Sequence, residues 1–410
     1  MAQTGTRTND TPIDLLGALG QAVADGDVND FDPHNDRISF LYGTPDADSL
    51  PADDVAAAAV TALRNEGRIA LQYGRTGGYP PLVDYLRTKL KRTQQMDVAA
   101  DHILLTAGST QALTQVTQLL VDRGDPIISE DPTWPGGVSL FTHVGARVIP
   151  AAMDEAGIRM DALETCLAAM RAAGERPKFI YTIPNFQNPS GVTLSLERRE
   201  RLIALAREYD TFILEDDAYN DLRFEGEPLP AIYSLDAASG GSRVITLGTL
   251  SKVLAAGMRL GWVVAPPALI RRLAGLKGDG GVAPFASTTA AEYCRAGKLE
   301  PHIEELNTLY HARRDAMIDA LGEHMPEGVT WTVPEGGFFI WLTTPDSVDT
   351  RAMFPKAIKA GIDYLPGTAC RFDGHGTHEI RLSFSVMPEA KIREGIARLG
   401  RLIYGEITEK

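Results

Sequence analysis

The residues with the clearest chemical potential lie in the stretch Leu247–Trp262. A β-branched run at Val244–Thr246 leads into it, and an apolar run at Gly261–Val264 leaves it. A lysine amine condenses with an aldehyde to a Schiff base, and an arginine with nearby hydroxyls can hold a phosphate. The stretch therefore indicates covalent carbonyl chemistry beside an anion site. The side chains that would carry it are Lys252, Thr249, Ser251 and Arg259.

An aldehyde that carries a phosphate is the reactive part of pyridoxal phosphate, which makes this cofactor the first candidate. Most Ser-Lys pairs in loops are nevertheless simply solvated. The interpretation of Lys252 therefore depends on partner residues elsewhere in the chain.

A second possible anion site follows the apolar run Ile103–Leu105. The segment Ala107–Leu113 passes through a glycine and two hydroxyl residues directly into a helix. Free N–H groups at a helix N-terminus attract anions. Ser109 or Thr110 could instead act as an ordinary N-cap. The sequence alone leaves both interpretations open.

The elements that must position these residues alternate along the chain. Predicted strands such as Pro126–Ser129, Lys178–Ile183 and Thr211–Glu215 are separated by helical segments. This alternation predicts an α/β fold with a mostly parallel sheet covered by helices. In such sheets ligands bind outside the carboxyl ends of the strands. The candidate residues that follow a strand are Ser109, Thr110, Trp134, Asn188, Asp216 and Lys252.

The pattern changes after residue 297. A long helix near Glu300–Leu321 is followed by short strands and a terminal amphipathic helix, which predicts a smaller α+β domain. We predict a large domain over 50–297 and a small domain formed by 31–49 and 298–410. The polar residues 1–30 are expected to form a mobile arm.

The composition excludes several classes of protein. The 410 residues are 44% hydrophobic and carry a formal net charge of -14, which argues against nucleic acid or an anionic membrane as a partner. Three scattered cysteines indicate neither a disulfide framework nor a metal site. No apolar run has transmembrane length and the N-terminus lacks a signal-peptide pattern, so we expect a cytoplasmic protein.

Several motifs occur here in one order. They are the Gly-Ser-Thr-Gln turn at Gly108–Gln111, Asn185–Gly191, Asp216–Tyr219, the pair Ser251–Lys252 with Arg259, and Arg381. In this order the chain resembles the class I/II aminotransferases of PLP fold type I, from about Ile38 to Leu402. The motif Asn-Phe-Gln-Asn-Pro-Ser-Gly at Asn185–Gly191 is most similar to the motif in the branch of 2-aminoadipate, kynurenine and aromatic aminotransferases.

The resemblance implies a role for each residue. Lys252 would bond the cofactor and shuttle a proton, Asp216 would pair with the ring nitrogen, and Tyr219 with Asn188 would bind the ring's 3-oxygen. Trp134 would stack on the ring. The phosphate would be held by Ser109, Thr110, Gln111, Thr249, Ser251 and Arg259.

The substrate side of the site follows from the same resemblance. Arg381 would bind the substrate α-carboxylate with help from Asn188, and Gly43 would let a loop approach the site closely. Tyr73 would reach the phosphate of a neighbouring subunit, which implies a homodimer with a shared active site. The activity implied is a ping-pong transfer of an amino group from an L-amino acid to a 2-oxo acid.

Some points stay open at this stage. Asp217 is a rival to Asp216, although the Asp-x-Ala-Tyr spacing favours Asp216. The branch usually has tyrosine at Trp134 and proline at Ala256, which leaves the substrate class open. The same constellation also serves elimination, replacement, decarboxylation or oxidation of amino acids. A remote alternative is an effector-sensing, non-enzymatic homologue.

Overall fold

The computed structural model describes residues 37–278 and 280–408. These residues belong to a single compact unit that begins at Arg37. The predicted arm, 1–30, lies outside the described residues. Within the described ranges, no helix combines the length and apolar character that a membrane crossing requires. The same ranges contain no cluster of three or more histidine, cysteine or acidic side chains that could hold a metal ion.

The described strands and helices alternate through most of the chain. The strands are β1 Ile38–Ser39, β2 Ile103–Thr106, β3 Pro126–Asp131, β4 Arg147–Asp154, β5 Gly157–Ile158, β6 Phe179–Thr182, β7 Phe212–Asp216, β8 Val244–Thr249, β9 Gly261–Val264, β10 Thr330–Trp331, β11 Phe339–Thr343, β12 Ile362–Asp363, β13 Leu365–Pro366 and β14 Glu379–Ser383. The helices are α1 Ala52–Ala70, α2 Pro80–Gln94, α3 Ser109–Leu120, α4 Pro135–Val144, α5 Met160–Ala172, α6 Leu196–Glu208, α7 Ile232–Ala238, α8 Pro267–Leu276, α9 Pro284–Arg295, α10 Leu299–His324, α11 Thr350–Lys359 and α12 Glu389–Thr408.

The central sheet confirms the predicted α/β fold. Among the described residues it has eight strands in the order β2-β9-β8-β7-β6-β3-β4-β5. Strands β8, β7, β6, β3 and β4 pair in parallel, whereas β9 and β5 run antiparallel to their neighbours. Parallel strands of this kind end at the same edge of the sheet, which places the segments that follow them side by side.

Both faces of the central sheet are buried. Neighbouring residues in a strand point to opposite faces, and Ile213 and Leu214 lie in two different hydrophobic clusters. The same division separates Val244 from Ile245. Strands covered on both faces read as continuous apolar runs rather than alternating ones, which is why these segments look uniformly hydrophobic in the sequence.

A second sheet is formed late in the chain. Its described strands lie in the order β10-β11-β14-β13 and are all antiparallel. Strand β1 pairs in parallel with β12, so the segment that starts at Ile38 joins the C-terminal part of the chain. These elements agree with the α+β character expected after residue 297. The domain boundaries themselves stay predictions.

Some elements differ from the sequence expectations. The helices α7, α8 and α9 were not anticipated; α8 and α9 each begin with a proline, which suits the first turn of a helix. Helix α1 is kinked, since it continues to Ala70 past a non-helical residue, Glu66, with φ -135°. The Glu66 carboxylate accepts a hydrogen bond from the Tyr79 hydroxyl at 2.5 Å, which ties this kink to α2.

Candidate active site

One cavity lies where the strands of the central sheet end. Its volume is about 150 Å³. It brings together residues that are up to 150 positions apart in the chain, because five strand ends converge there. The lining residues are Ser109, Thr110, Trp134, Ile183, Asn188, Asp216, Ala218, Tyr219, Thr249, Ser251, Lys252, Ala256 and Arg259.

A tight turn and an arginine form one side of the cavity. Gly108 has φ +80°, and a Cβ there would lie 2.6 Å from the Arg259 guanidinium. Only glycine therefore fits between β2 and α3. Arg259 donates to the carbonyl of Ala256 at 3.1 Å, and no carboxylate in the described part of the chain lies within 4.0 Å of it. Its charge is thus available to an anion.

The start of α3 resolves one question left by the sequence. The N-cap position is Gly108, and no side chain caps the helix. Neither Ser109 nor Thr110 therefore serves as an N-cap, and both line the cavity. The Gln111 side chain does not line the cavity; its oxygen accepts a hydrogen bond from the Ala107 N–H at 2.7 Å. Gln111 thus supports the turn.

The hydroxyls of Thr249 and Ser251 complete this side. Their oxygens lie 2.9 Å apart, and the Ser251 N–H donates to Thr249 Oγ1 at 3.0 Å. The Thr249 oxygen also lies 3.0 Å from the carbonyl of Leu260, a residue next to Arg259. The loop between β8 and β9 therefore presents two hydroxyls and a guanidinium to the same space.

Lys252 lies in the middle of the cavity wall. Its Nζ donates to the carbonyl of Gly43 at 2.8 Å. Burial lowers the pKa of the Lys252 amine to about 8, helped by the positive charges of Arg381 and Arg259 and opposed by Asp216. A fraction of the amine is therefore neutral near physiological pH, as a nucleophile or base must be.

Asp216 and Asp217 occupy different environments. Asp216 lines the cavity; its Oδ2 accepts from the Tyr181 hydroxyl at 2.8 Å, and its buried Oδ1 has no partner in the described structure. Asp217 does not line the cavity, and its Oδ1 accepts from Asn185 at 2.7 Å. Burial raises the pKa of Asp216 to about 6 and that of Asp217 to about 7. Of the two carboxylates, Asp216 is therefore the one that a ligand in the cavity could contact.

Three further side chains line the opposite wall. Tyr219 is buried and packs edge-on against Phe338 and Phe339, with ring centroids 5.7 and 5.9 Å away. Burial raises the pKa of the Tyr219 phenol, so it is neutral at ordinary pH. Asn188 is buried beside it, and the ring of Trp134 lies half-buried at the N-terminus of α4.

Arg381 approaches from the second sheet. Its Nη1 donates to Asn188 Oδ1 at 3.0 Å and its Nη2 to the carbonyl of Leu41 at 2.6 Å. The guanidinium lies 4.3 Å from the Phe339 ring centroid. It is buried, yet among the described residues no carboxylate lies within 4.0 Å and its Nε has no partner. A buried cation of this kind suits an anionic ligand.

Gly43 is tightly enclosed. A Cβ at this position would lie 2.3 Å from Phe339 Cζ, so a side chain would displace that ring. The loop after β1 can therefore place its carbonyl against Lys252 only because residue 43 is glycine. Gly43 itself does not line the cavity.

Tyr73 lies apart from the cavity of its own chain. Its side chain is 85% exposed. It borders a separate surface cavity of about 430 Å³ that also contacts Tyr79 and Pro284. The structure of the single chain therefore does not bring Tyr73 to the other predicted site residues.

Two residues near the site were missed by the sequence reasoning. Tyr181 binds Asp216, and Phe339 supports both Tyr219 and Arg381. Tyr181 had one available signal, since a tyrosine inside a buried apolar strand needs a partner for its hydroxyl. Phe339 had none, because a phenylalanine in a strand is ordinary core.

Comparison with known proteins gives the family context of this site. Residues 38–399 match the sequence model of the family described as aminotransferase class I and II. The aromatic-amino-acid aminotransferase 1 of Thermococcus litoralis is 38% identical over 377 residues, covering 92% of this chain and 90% of that protein.

Solved structures give the same result for the fold. The multiple substrate aminotransferase of Thermococcus profundus matches with a TM-score of 0.92 at 37% identity, covering 97% of this chain and 99% of its own. The kynurenine aminotransferase of Pyrococcus horikoshii, solved in complex with PMP, matches with a TM-score of 0.88 at 39% identity and 92% coverage of both chains.

Proposed function

The chain belongs to the aminotransferase class I and II family, and we propose that the cavity around Lys252 is its active site. The protein is a pyridoxal-phosphate-dependent aminotransferase that moves an amino group from an L-amino acid to a 2-oxo acid. The observation that carries the assignment of the site is the juxtaposition of Lys252, Asp216 and Arg259 in one small cavity.

The side chains of the cavity fit the cofactor. Asp216 Oδ1 is buried without a donor, as expected of an oxygen that pairs with a protonated ring nitrogen. Arg259 offers the phosphate a guanidinium that donates to the Ala256 and Ala107 carbonyls but has no carboxylate partner among the described residues. The hydroxyls and helix N-terminus that would share the phosphate belong to Ser109, Thr110, Thr249 and Ser251. When bound, the cofactor supplies an electron sink for the carbanion at the substrate Cα.

Lys252 would carry the proton. Its lowered pKa leaves a neutral fraction of the amine, and its hydrogen bond to the Gly43 carbonyl must break before Nζ can act. The freed Nζ would then take the proton from the Cα of the amino acid. Trp134 would stack on the ring, and Tyr219, as a neutral phenol, would bind the ring's 3-oxygen together with Asn188.

Arg381 would bind the substrate α-carboxylate. Its guanidinium is held by Asn188 and Leu41 and leaves Nε without a partner. A carboxylate would supply the missing acceptor and neutralise the buried charge. The contact would also orient the amino acid, since Asn188 links Arg381 to the cavity wall.

We propose aromatic L-amino acids as amino donors. Of the three relatives named above, those of Thermococcus litoralis and Pyrococcus horikoshii have names that refer to aromatic amino acids and kynurenine. Within the described residues, the cations that line or adjoin the cavity are Lys252, Arg259 and Arg381, and each already has a proposed role. An uncharged side chain therefore suits the remaining space better than a second carboxylate.

We further propose that the enzyme is a homodimer in the cytoplasm. Apolar side chains stand exposed around Tyr73; Ile69 borders one surface cavity with it, and Leu71 and Phe285 border another. A second copy of the chain would cover this surface and would let Tyr73 reach the partner's phosphate site. Three free cysteines suit a reducing compartment.

The absorbance spectrum of the purified enzyme tests the active site. The wild type should show a visible band of bound cofactor that Lys252→Ala lacks, and aromatic L-amino acids should bleach it. Addition of a 2-oxo acid should restore the band. Oxygen consumption in place of restoration would contradict transamination. A band that survives Lys252→Ala would reject that lysine, and exclusive bleaching by aspartate or alanine would reject the aromatic donors.

Mixed dimers test the shared site. Lys252→Ala and Tyr73→Ala chains should each have low activity alone. In a mixed dimer one of the two sites combines an intact Lys252 with the partner's intact tyrosine, so purified mixed dimers should recover about half of the wild-type activity. An absence of recovery in dimers shown by mass to be mixed would contradict the role of Tyr73.

A further inference from the structure

Among the described residues, the hydroxyl of Tyr181 makes a single hydrogen bond, and it is with Asp216. The tyrosine lies in β6 and is fully buried. Its hydroxyl donates to Asp216 Oδ2 at 2.8 Å. The other oxygen, Oδ1, is buried without a partner in the described structure. The tyrosine therefore occupies one carboxylate oxygen and leaves the other for the cavity.

The position of Tyr181 is fixed from two sides. Strand β6 pairs with β7, where Tyr181 lies opposite Leu214, two residues before Asp216. On the other side Phe141 packs edge-on against the Tyr181 ring, with centroids 5.2 Å apart, and Phe141 also packs against Phe179. A ring held in this way cannot easily turn its hydroxyl to another acceptor.

The charges around the pair make this hydrogen bond important. Asp216 faces the Lys252 amine, while Tyr181 faces Asp216, Glu130 and Tyr219. Burial and the nearby carboxylates raise the pKa of the Tyr181 phenol, so it stays a neutral donor. Burial also raises the pKa of Asp216 to about 6, and the Tyr181 hydroxyl is the first factor that opposes this rise. Without the hydroxyl, Asp216 would hold its proton to higher pH.

We propose that Tyr181 is the positioning residue that aims Asp216 Oδ1 into the cavity and keeps the carboxylate ionised for the cofactor's ring nitrogen. The proposal rests on the proposed function, because it assumes that Asp216 pairs with that nitrogen. Tyr181 itself does not line the cavity and touches neither cofactor nor substrate.

Tyr181→Phe tests the proposal, since it removes the hydroxyl and keeps the ring. The equilibrium affinity for pyridoxal phosphate, measured by absorbance titration across pH, should fall about tenfold or more. The pH below which affinity is lost should rise by about one unit or more. The stabilisation of the apoenzyme by the cofactor, measured as a difference in melting temperature, should shrink in parallel.

Tyr364→Phe is the matched control. Its buried hydroxyl also makes one hydrogen bond, to the carbonyl of Thr350 at 2.6 Å, but it lies away from the cavity. We expect Tyr364→Phe to lower stability without changing the pH dependence of cofactor affinity. If Tyr181→Phe behaves like this control, Tyr181 is only a packing residue and the proposal is wrong.

Asp216→Asn separates this proposal from the proposed function. If Asp216→Asn leaves cofactor affinity unchanged, the assignment of Asp216 fails. If Asp216→Asn lowers affinity and Tyr181→Phe does not, only the role of Tyr181 fails. If Tyr181→Phe does not fold, 3-fluorotyrosine at position 181 replaces it, because its hydroxyl is a stronger hydrogen-bond donor. The pH below which cofactor affinity is lost should then fall. If that pH does not change, the proposal is wrong.

Discussion

The two ends of the proposed active site are built in different ways. The proposed cofactor end uses Ser109, Asp216, Lys252 and their neighbours, which follow successive strands of one sheet. The proposed carboxylate end joins Arg381 to Leu41, 340 positions earlier in the chain. The first end forms when one sheet forms, whereas the second requires the two sheets to pack together.

The two ends also differ in their unmatched charge. At the cofactor end the buried Asp216 Oδ1 lacks a donor, and at the carboxylate end the buried Arg381 lacks a carboxylate among the described residues. A buried polar group without a partner costs folding free energy. A ligand that donates to Asp216 Oδ1, or one that brings a carboxylate to Arg381, would remove that cost. The comparison indicates that cofactor binding and substrate binding can be disrupted separately.

Arg381→Ala should give the largest separation. Loss of the guanidinium should lower kcat/KM for the amino acid by about two to four orders of magnitude, mainly through KM, because a buried charge pair with the substrate is lost. The affinity for pyridoxal phosphate should change little. Steady-state kinetics and cofactor titration measure the two effects.

Arg259→Ala is the reciprocal variant. It should weaken the cofactor and leave the amino-acid KM nearly unchanged at saturating cofactor. Equal loss of both affinities in both variants would show that the two ends are not independent.

Gly43→Ala tests the contact between the ends. The added Cβ would lie 2.3 Å from Phe339, the ring that supports both Tyr219 and Arg381. Overpacking of this size costs about 1–3 kcal/mol, and an activation barrier raised by the same amount would lower kcat/KM about 5- to 150-fold. Gly257→Ala, which has open space around its Cβ, is the control and should be close to wild type in the same assay. Equal kinetics in both variants would contradict the expected strain.

Arg371→Met tests a bridge between the two sheets. Arg371 donates to Asp131 at the end of β3, at 2.7 Å, and to Glu379 in β14, at 3.0 Å. These side chains are largely buried, so removal of the arginine should cost about 2–4 kcal/mol of unfolding free energy. Chemical denaturation measures the loss.

The exposed pair of Arg393 with Asp319 provides the control for that experiment. Arg393→Met should cost less than about 1 kcal/mol. If Arg371→Met is equally harmless, the bridge does not help to hold the sheets together.

The smallest expected effect is a pH dependence from the buried carboxylates in and behind the proposed cofactor end. Burial raises the pKa values of Glu130, Asp216 and Asp217 to about 7, 6 and 7. The stability that these three carboxyl groups contribute is fully present below the pKa values they have in the unfolded chain. It is lost as pH rises through their folded pKa values, about 6 to 7. Lys252 has the opposite effect on the free energy of unfolding. Because its pKa is lowered, the stability it contributes at high pH is lost as pH falls through about 8.

The three carboxylates together outnumber this lysine, so the apoenzyme should melt at a lower temperature near pH 8 than near pH 5.5. In Asp217→Asn one of the three groups no longer titrates, and the difference should be smaller. Thermal melts of both proteins at the two pH values provide the measurement. The same difference in both would contradict burial as the cause.

The fold class, and the residues that meet at the proposed cofactor end, could largely be predicted from the amino-acid sequence. Uniformly apolar strands separated by helices require a sheet that is buried on both faces, and parallel strands must end at one edge. Residues that follow those strands, such as Trp134, Asn188 and Lys252, therefore meet whatever the details of packing. The boundaries of α1 and the presence of α7 to α9 did not follow, because kinks and short proline-led helices depend on tertiary contacts.

The buried polar groups that lack a hydrogen-bond partner could not be predicted without the tertiary contacts. The sequence shows that Asp216 and Asp217 are neighbours, but not that one oxygen of Asp216 is held by Tyr181 while the other stays free. It shows an arginine at 381, but not the Leu41 carbonyl and Phe339 ring that orient it. Burial and hydrogen-bond partners depend on contacts between distant segments, and local periodicity carries no information about them.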